Sequence, residues 1–177
     1  MRSTMSRAAL ALWIAAALCS LPACGGGETA VAALQLGGAL PDGTGFHALS
    51  GNAELVPGAQ GGFHVWLKLR LRGLPSGQRV RFHYEARREG DGRLISQGER
   101  GFDMGPAGAS GAFETPEPIP VFMCPPPLGL RVMDTPLRFN LTLSTEDGAL
   151  LGSATTSLTP RCPSGEQAEF CNRICAG

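Results

Sequence analysis

Between residues 63 and 72 apolar and polar side chains alternate without a break: Phe63, Val65, Leu67, Leu69 and Leu71 against His64, Trp66, Lys68, Arg70 and Arg72. A period of two over this length predicts a strand with one buried face, because successive side chains leave a strand on opposite sides. Residues 79–87 repeat the pattern, with Val80, Phe82, Tyr84 and Ala86 on one side and Arg79, Arg81, His83, Glu85 and Arg87 on the other. Leu137, Phe139, Leu141 and Leu143 give a third clean alternation, which runs through Glu146, Asp147 and Gly148 into residues 150–158 and reads as a hairpin closed by a D-G turn. Weaker strand candidates are 29–36, 52–56, 93–97, 111–114, 119–123 and 129–133. With 25 Gly and 14 Pro among 177 residues, turns are frequent and long helices are hard to place. Many short strands between Gly, Pro and Asp turns predict an all-β fold, a two-sheet antiparallel sandwich.

The connection between the first two strands, Gly73-Leu74-Pro75-Ser76-Gly77-Gln78, followed by Val80, Phe82 and Tyr84, is similar to the corner of fibronectin type III and other immunoglobulin-like domains. In that family the corner links strands of opposite sheets. Val80 stands where the family has its corner tyrosine, so the resemblance implies an immunoglobulin-like sandwich without a subfamily. It leaves two arrangements open: the strands pair as a hairpin, or they face each other across the core.

The chain ends in a cysteine-bearing tail, residues 161–177. Ser164 and Gln167 have capping-box spacing, and Phe170, Cys171, Ile174 and Cys175 fall on one helical face. A helix of about ten residues is marginal alone, so disulfides to the sandwich are expected to hold it. The prolines of 115–120 and 125–127 predict stiff extended segments at a sheet edge or crossover, since proline cannot donate to a ladder.

At the other end, Arg2 and Arg7 precede an apolar run from Ala8 to Leu18 of about 11 residues, too short to span a bilayer, which takes roughly 20. Leu21-Pro22-Ala23-Cys24 follows. This segment resembles the export signals of bacterial lipoproteins, cut before a cysteine that receives lipid. Leu21 and Ala23 match the family pattern, Pro22 departs from it, and the rival Cys19 follows a leucine too large for the site. The resemblance implies a signal peptide over 1–23, acylation at Cys24, and membrane anchoring through that N-terminal lipid. Residues 24–28 then form a flexible glycine tether ahead of a sandwich over 29–160. With no Asp after Cys24, the family's sorting rule implies the outer membrane of the bacterial envelope.

Processing at Cys24 leaves Cys124, Cys162, Cys171 and Cys175, an even number in an exported chain, which reads as two disulfides. Cys171 and Cys175 stand four apart on one helical face, so each is expected to bond elsewhere, one to Cys162 and the other to Cys124. A four-thiolate zinc site is the alternative, though no C-x-x-C is present. About 150 residues remain, enough for one domain with one core. The formal net charge is zero, which supplies no field to recruit nucleic acid.

The search for chemistry is mostly negative. Lys68, the sole lysine, sits in neither a P-loop nor an S-x-x-K context. Were 63–72 and 79–87 a hairpin, His64 and His83 would lie roughly 13 Å apart at about 3.4 Å per residue, too far to share a metal. With His47 they read as surface side chains, and no cofactor is expected. The same register would set Arg70 against Arg81 and Arg72 against Arg79. Such a strip of Lys68, Arg70, Arg72, Arg79 and Arg81, with Trp66 beside it, is a candidate anion-binding face for lipid headgroups or glycans, unless the strands belong to different sheets. Ser110, between Gly108 and Ala112, lacks the second glycine of a nucleophile elbow. Asp91, Asp103, Asp134 and Asp147 sit at turns, where carboxylates bond local backbone. Asn140 opens a glycosylation sequon that an envelope lipoprotein would not use. The expectation is a lipid-anchored, non-catalytic envelope module that binds a ligand or serves as a structural part. Its rivals are an accessory subunit of an envelope machine, docking another envelope protein, and a small envelope hydrolase.

Overall fold

The computed structural model describes residues 33–40 and 42–177; the signal segment, Cys24 and the tether lie outside them. The described residues form two packed sheets and one short C-terminal helix, a two-sheet β-sandwich as the alternation predicts. The first sheet is built around β5 (Phe63–Arg72). On one flank it pairs with β1 (Ala33–Gly38) and β4 (Val56–Pro57), and β1 carries β2 (His47–Ala48). On the other flank run β8 (Phe113–Glu114) and β9 (Ile119–Cys124). The second sheet has the order β3-β11-β10-β6-β7, with β3 (Gly51–Glu54), β6 (Arg79–Arg88), β7 (Leu94–Asp103), β10 (Leu137–Thr145) and β11 (Leu150–Arg161). All pairs are antiparallel except β3 with β11.

The strands β5 and β6 therefore face each other and do not pair. Their corner, residues 73–78, turns on Gly73 and Gly77, both at positive φ of 84° and 82°, where a side chain is strained. It is fixed from the end of β7: Gly77 N–H donates to the Met104 carbonyl at 2.7 Å, and Met104 N–H to that of Gln78 at 2.9 Å. The inward residues of β5, from Phe63 to Leu71, meet Val80, Phe82 and Ala86 of β6 and Leu137, Phe139, Leu141 and Leu143 of β10. All are at most 1% exposed, so the apolar half of each alternation is fully withdrawn from water. Between β10 and β11 the D-G hairpin closes as expected, Gly148 lying at φ 88° and Thr145 N–H donating to Ala149 O at 2.9 Å.

Two expectations are corrected. Residues 129–133 form no strand. Leu130 and Val132 are buried, but their N–H groups donate to the carbonyls of Pro127 and Cys175, so the segment is a turn folded against the tail. Ser164 makes no side-chain cap: a 3-10 turn, Gly165–Gln167, leads into α1 (Ala168–Cys175) instead. That helix is held covalently and by packing. Cys175 is bonded to Cys124 at the end of β9 and Cys171 to Cys162 just beyond β11, while Phe170 sits 5.9 Å from the Phe63 ring.

Candidate binding face

The outer face of the first sheet carries His64, Trp66, Lys68 and Arg70 in a row along β5. None is fully solvated. Lys68, which the alternation places in water, is only 5% exposed. The cause lies in the neighbouring flank. After Thr115 has bonded Leu69 through its N–H and its hydroxyl, residues 116–118 leave the ladder, which resumes at Ile119 opposite Leu67. The Lys68 ammonium fills the gap and donates to the Pro116 carbonyl at 3.4 Å. On the other flank its ladder partner is Gly37, whose missing side chain is replaced by the Phe46 ring; a Cβ there would lie 2.5 Å from that ring. The same ring stacks on the Arg70 guanidinium, 3.9 Å from its centroid, and Arg70 is paired with Glu114 at 2.7 Å.

Trp66 lines two hollows. One, a cleft of about 230 Å³, is lined by Leu40, His47, Asn52, Glu54 and Val56. The other, a shallower groove of about 470 Å³, is lined by Asp42, Gly43, Arg100, Glu117, Pro118 and Pro120. It continues over Pro118 and Pro120 into a recess against Phe102 and Ile119. Several contacts fix the indole. Pro120 is its ladder partner on β9, and a Cβ on Gly43 would reach ordinary van der Waals contact with its edge, 3.6 Å from Cζ3. Gly43 belongs to a tight turn, at φ 82°, whose N–H donates to Leu40 O at 2.8 Å. Asp42 accepts from the Thr44 hydroxyl at 2.7 Å and from its N–H at 2.9 Å. Those bonds lower the Asp42 pKa, the hydroxyl first, so a charged carboxylate stands at the groove rim.

Arg100 reaches the groove from the other sheet. It is the ladder partner of Phe82, so its side chain leaves β7 on the inward side of an edge strand. Among the described residues no strand lies beyond β7, and Arg100 lines the recess beside residues 116–120. An inward charge on an edge strand also discourages pairing with another chain.

The five residues of the anion-face expectation are not brought together. Lys68, Arg70 and Arg72 belong to the first sheet, whereas Arg79 and Arg81 lie on the outer face of the second. The like-charge juxtaposition disappears because β5 and β6 never pair. Instead Arg79 is paired with Asp103 and Glu146, and Arg81 with Glu99. Nor do the histidines converge. His64 packs edge-on against Phe122 of β9, with ring centroids 5.4 Å apart, and burial pushes its pKa down. His47 lies on β2, and His83 in the other sheet beside Glu85 at 3.9 Å. Three cysteine sulfurs, of Cys162, Cys171 and Cys175, do cluster within 4.8 Å. All are consumed in the two disulfides, which removes the thiolates a zinc ion would need. Each candidate acid is engaged by another side chain: Asp91 by Arg88, which draws its pKa to about 2, Asp103 by Arg79, Asp134 by Arg131 and Arg161, and Asp147 by Thr145. Ser110 occupies a turn closed by Gly108 and Ala112, and no hydrogen bond joins it to a histidine among the described residues.

Sequence reasoning found Trp66 but not the groove. Asp42, Arg100 and the pair Glu117-Pro118 come from three distant stretches. The signals at hand were an indole on the polar side of an alternation and the proline run beside β9.

No protein-family model matches the chain, and no curated protein does. Among solved structures it is similar to a bacterial adhesin from Mobiluncus mulieris at 9% identity and TM-score 0.39, over 58% of this chain and 51% of that one. It is also similar to a putative β-galactosidase from Bacteroides fragilis at 14% identity and TM-score 0.38, over 71% of this chain and 15% of that one. A Bacteroides uniformis β-glucuronidase follows at 15% and 0.34, over 70% and 12%. The chain spans between 12% and 51% of the length of these proteins.

Proposed function

We propose that this chain is a lipid-anchored, non-catalytic binding module of the bacterial envelope. The observation that carries the reading is the pair of disulfides, Cys124–Cys175 and Cys162–Cys171, which fasten the last helix to the sandwich. Such bonds persist in oxidising compartments, which agrees with an exported chain cut at Cys24. The described body begins at β1, whose Ala33 lies beside Arg72. Binding in preference to catalysis is supported by the acids being tied into local ion pairs and turns, while the groove at Trp66 keeps polar groups at its rim. The test is growth of an expressing bacterium with labelled palmitate. Label should enter the protein and remain in the membrane fraction, and Cys24→Ala should abolish both. Equal labelling of the variant, or a parent protein recovered unlabelled, overturns the anchoring.

A further inference from the structure

We infer that the groove beside Trp66 is a saccharide subsite for neutral or N-acetylated hexopyranose chains. The inference rests on the reading of this chain as a binding module and names the ligand class of that module. Three observations carry it. The first is the platform: Trp66 is partly exposed and held by Pro120 and the Gly43 turn, so its ring is positioned before any ligand arrives. A pyranose offers an apolar face of C–H groups to such a ring, and aromatic faces attract the positive edges of their partners.

The second is the rim. Asp42 and Glu117 present carboxylates and Arg100 a guanidinium to the same groove. Neither Glu117 nor Arg100 has an ion-pair partner within 4.0 Å among the described residues, unlike Arg70, Arg79, Arg81 and Arg88. Carboxylates accept from hydroxyls and guanidinium donates to them, which is the complement a polyol requires.

The third is charge. The groove holds two carboxylates against one guanidinium, and the other hollow that Trp66 lines adds Glu54. This balance rejects phosphate headgroups and uronate chains, the anionic ligands that a basic strip would have taken, and leaves neutral or N-acetylated sugars. Trp66 lines both hollows, so a chain of several sugars could contact the two at once.

Trp13 is the only other tryptophan. The membrane-extracted protein expressed with Trp13→Phe, kept in mild detergent, therefore reports Trp66 emission alone whether or not residues 1–23 have been removed. Chitohexaose and cellohexaose are the probes, with oligogalacturonate as the anionic comparator. A saturable emission change with at least one neutral probe is expected, half-complete between about 0.1 and 10 mM as suits an open site. By calorimetry Trp66→Ala should abolish binding and Trp66→Phe, which keeps a ring, should weaken it. Arg100→Ala with Glu117→Ala changes exposed side chains, so it tests the site even should Trp66→Ala fail to fold; it should weaken binding roughly tenfold, the equivalent of about 1.4 kcal/mol. An unchanged emission with both neutral probes, tighter binding of oligogalacturonate, or full affinity in the double variant overturns the assignment. Palmitate labelling is read separately, so loss of the anchor and loss of the sugar site are distinguishable.

Discussion

The two sheets present the same alternation to the core and opposite treatments of it to the outside. On the second sheet Arg79, Arg81 and Glu99 stand in water, His83, Glu85 and Arg87 are partly exposed, and the charges are neutralised pairwise, Arg79 by Asp103 and Glu146, Arg81 by Glu99, Arg87 by Glu85. On the first sheet the outward row is overlaid from both flanks, so that Lys68 is 5% exposed and Arg70 lies beneath Phe46. The difference originates in the connections. The flanks of β10 and β6 are continuous ladders, nine residue pairs between them, with no room for a loop to fold over. The flank formed by β8 and β9 is broken at residues 116–118, and the segment following β1 folds back over its own sheet through β2. A hollow forms where a ladder is interrupted, and there the polar side of an alternation acquires neighbours other than water.

The inner faces should be indistinguishable by mutation, and that is where the largest effects are expected. Phe63 of the first sheet and Phe82 of the second are both 0% exposed. Truncation of either to Ala removes a buried ring and leaves a cavity, a loss of about 3–5 kcal/mol, read as a fall in the denaturation midpoint with the slope unchanged. If Phe82→Ala cost less than a third as much as Phe63→Ala, the view of a single shared core would break. The two sheets would then differ inside as well as outside.

This symmetry is also why the core was legible in the sequence. Strict period two over β5, β6 and β10 assigns each inward residue without any knowledge of pairing, and the D-G hairpin gives the join of β10 to β11. Weaker patterns gave shorter strands than exist. Gly98, Glu99, Arg100 and Gly101 contain no apolar alternation, yet they belong to β7 because Tyr84 packs over Gly98; a Cβ at Gly98 would lie 2.7 Å from the tyrosine hydroxyl. The turn at 129–133 carries strand-like apolar residues whose burial comes from the tail and not from a ladder. Chain pattern says which side of a strand is apolar and is silent on what covers the other side. The alternation therefore places Lys68 on the polar side without its cover, and the groove around Trp66, built from loops distant in sequence, leaves no trace in it.

A substitution at Lys68 sharpens the contrast between the outer faces. Its side chain is nearly buried with one bond, to the Pro116 carbonyl at 3.4 Å, and no carboxylate lies within 4.0 Å of it among the described residues, so its removal breaks no buried ion pair. Lys68→Met keeps the packing volume and should change stability by less than about 1 kcal/mol. Lys68→Glu places a carboxylate against that carbonyl and should cost about 3 kcal/mol or more. The corresponding pair on the second sheet, Arg81→Met and Arg81→Glu, alters a side chain that is 50% exposed. Both should stay within about 1 kcal/mol of the parent in the same urea titration. Equal costs for Lys68→Glu and Arg81→Glu would mean that the cover over the first sheet is too loose to exclude water.

The smallest effect expected is a pH dependence confined to the covered sheet. His64 is partly buried against Phe122 and Gly58, and desolvation lowers its pKa from 6.5, opposed by its bond to the Val56 backbone. Above pH 6.5 the imidazole is neutral in both folded and unfolded chains, and its burial has no pH-dependent consequence. As the pH falls below 6.5 the unfolded chain takes up the proton first, so stability declines until the folded pKa is passed and then levels. His64→Gln should flatten the stability profile between pH 6.5 and the onset of carboxylate titration, near pH 4, and leave the profile above 6.5 unchanged. A decline that is identical in the variant would place its origin outside His64. A decline running in the opposite sense, with stability gained on acidification, would mean that the imidazolium finds a partner there and that this end of the covered face is wetter than its packing implies.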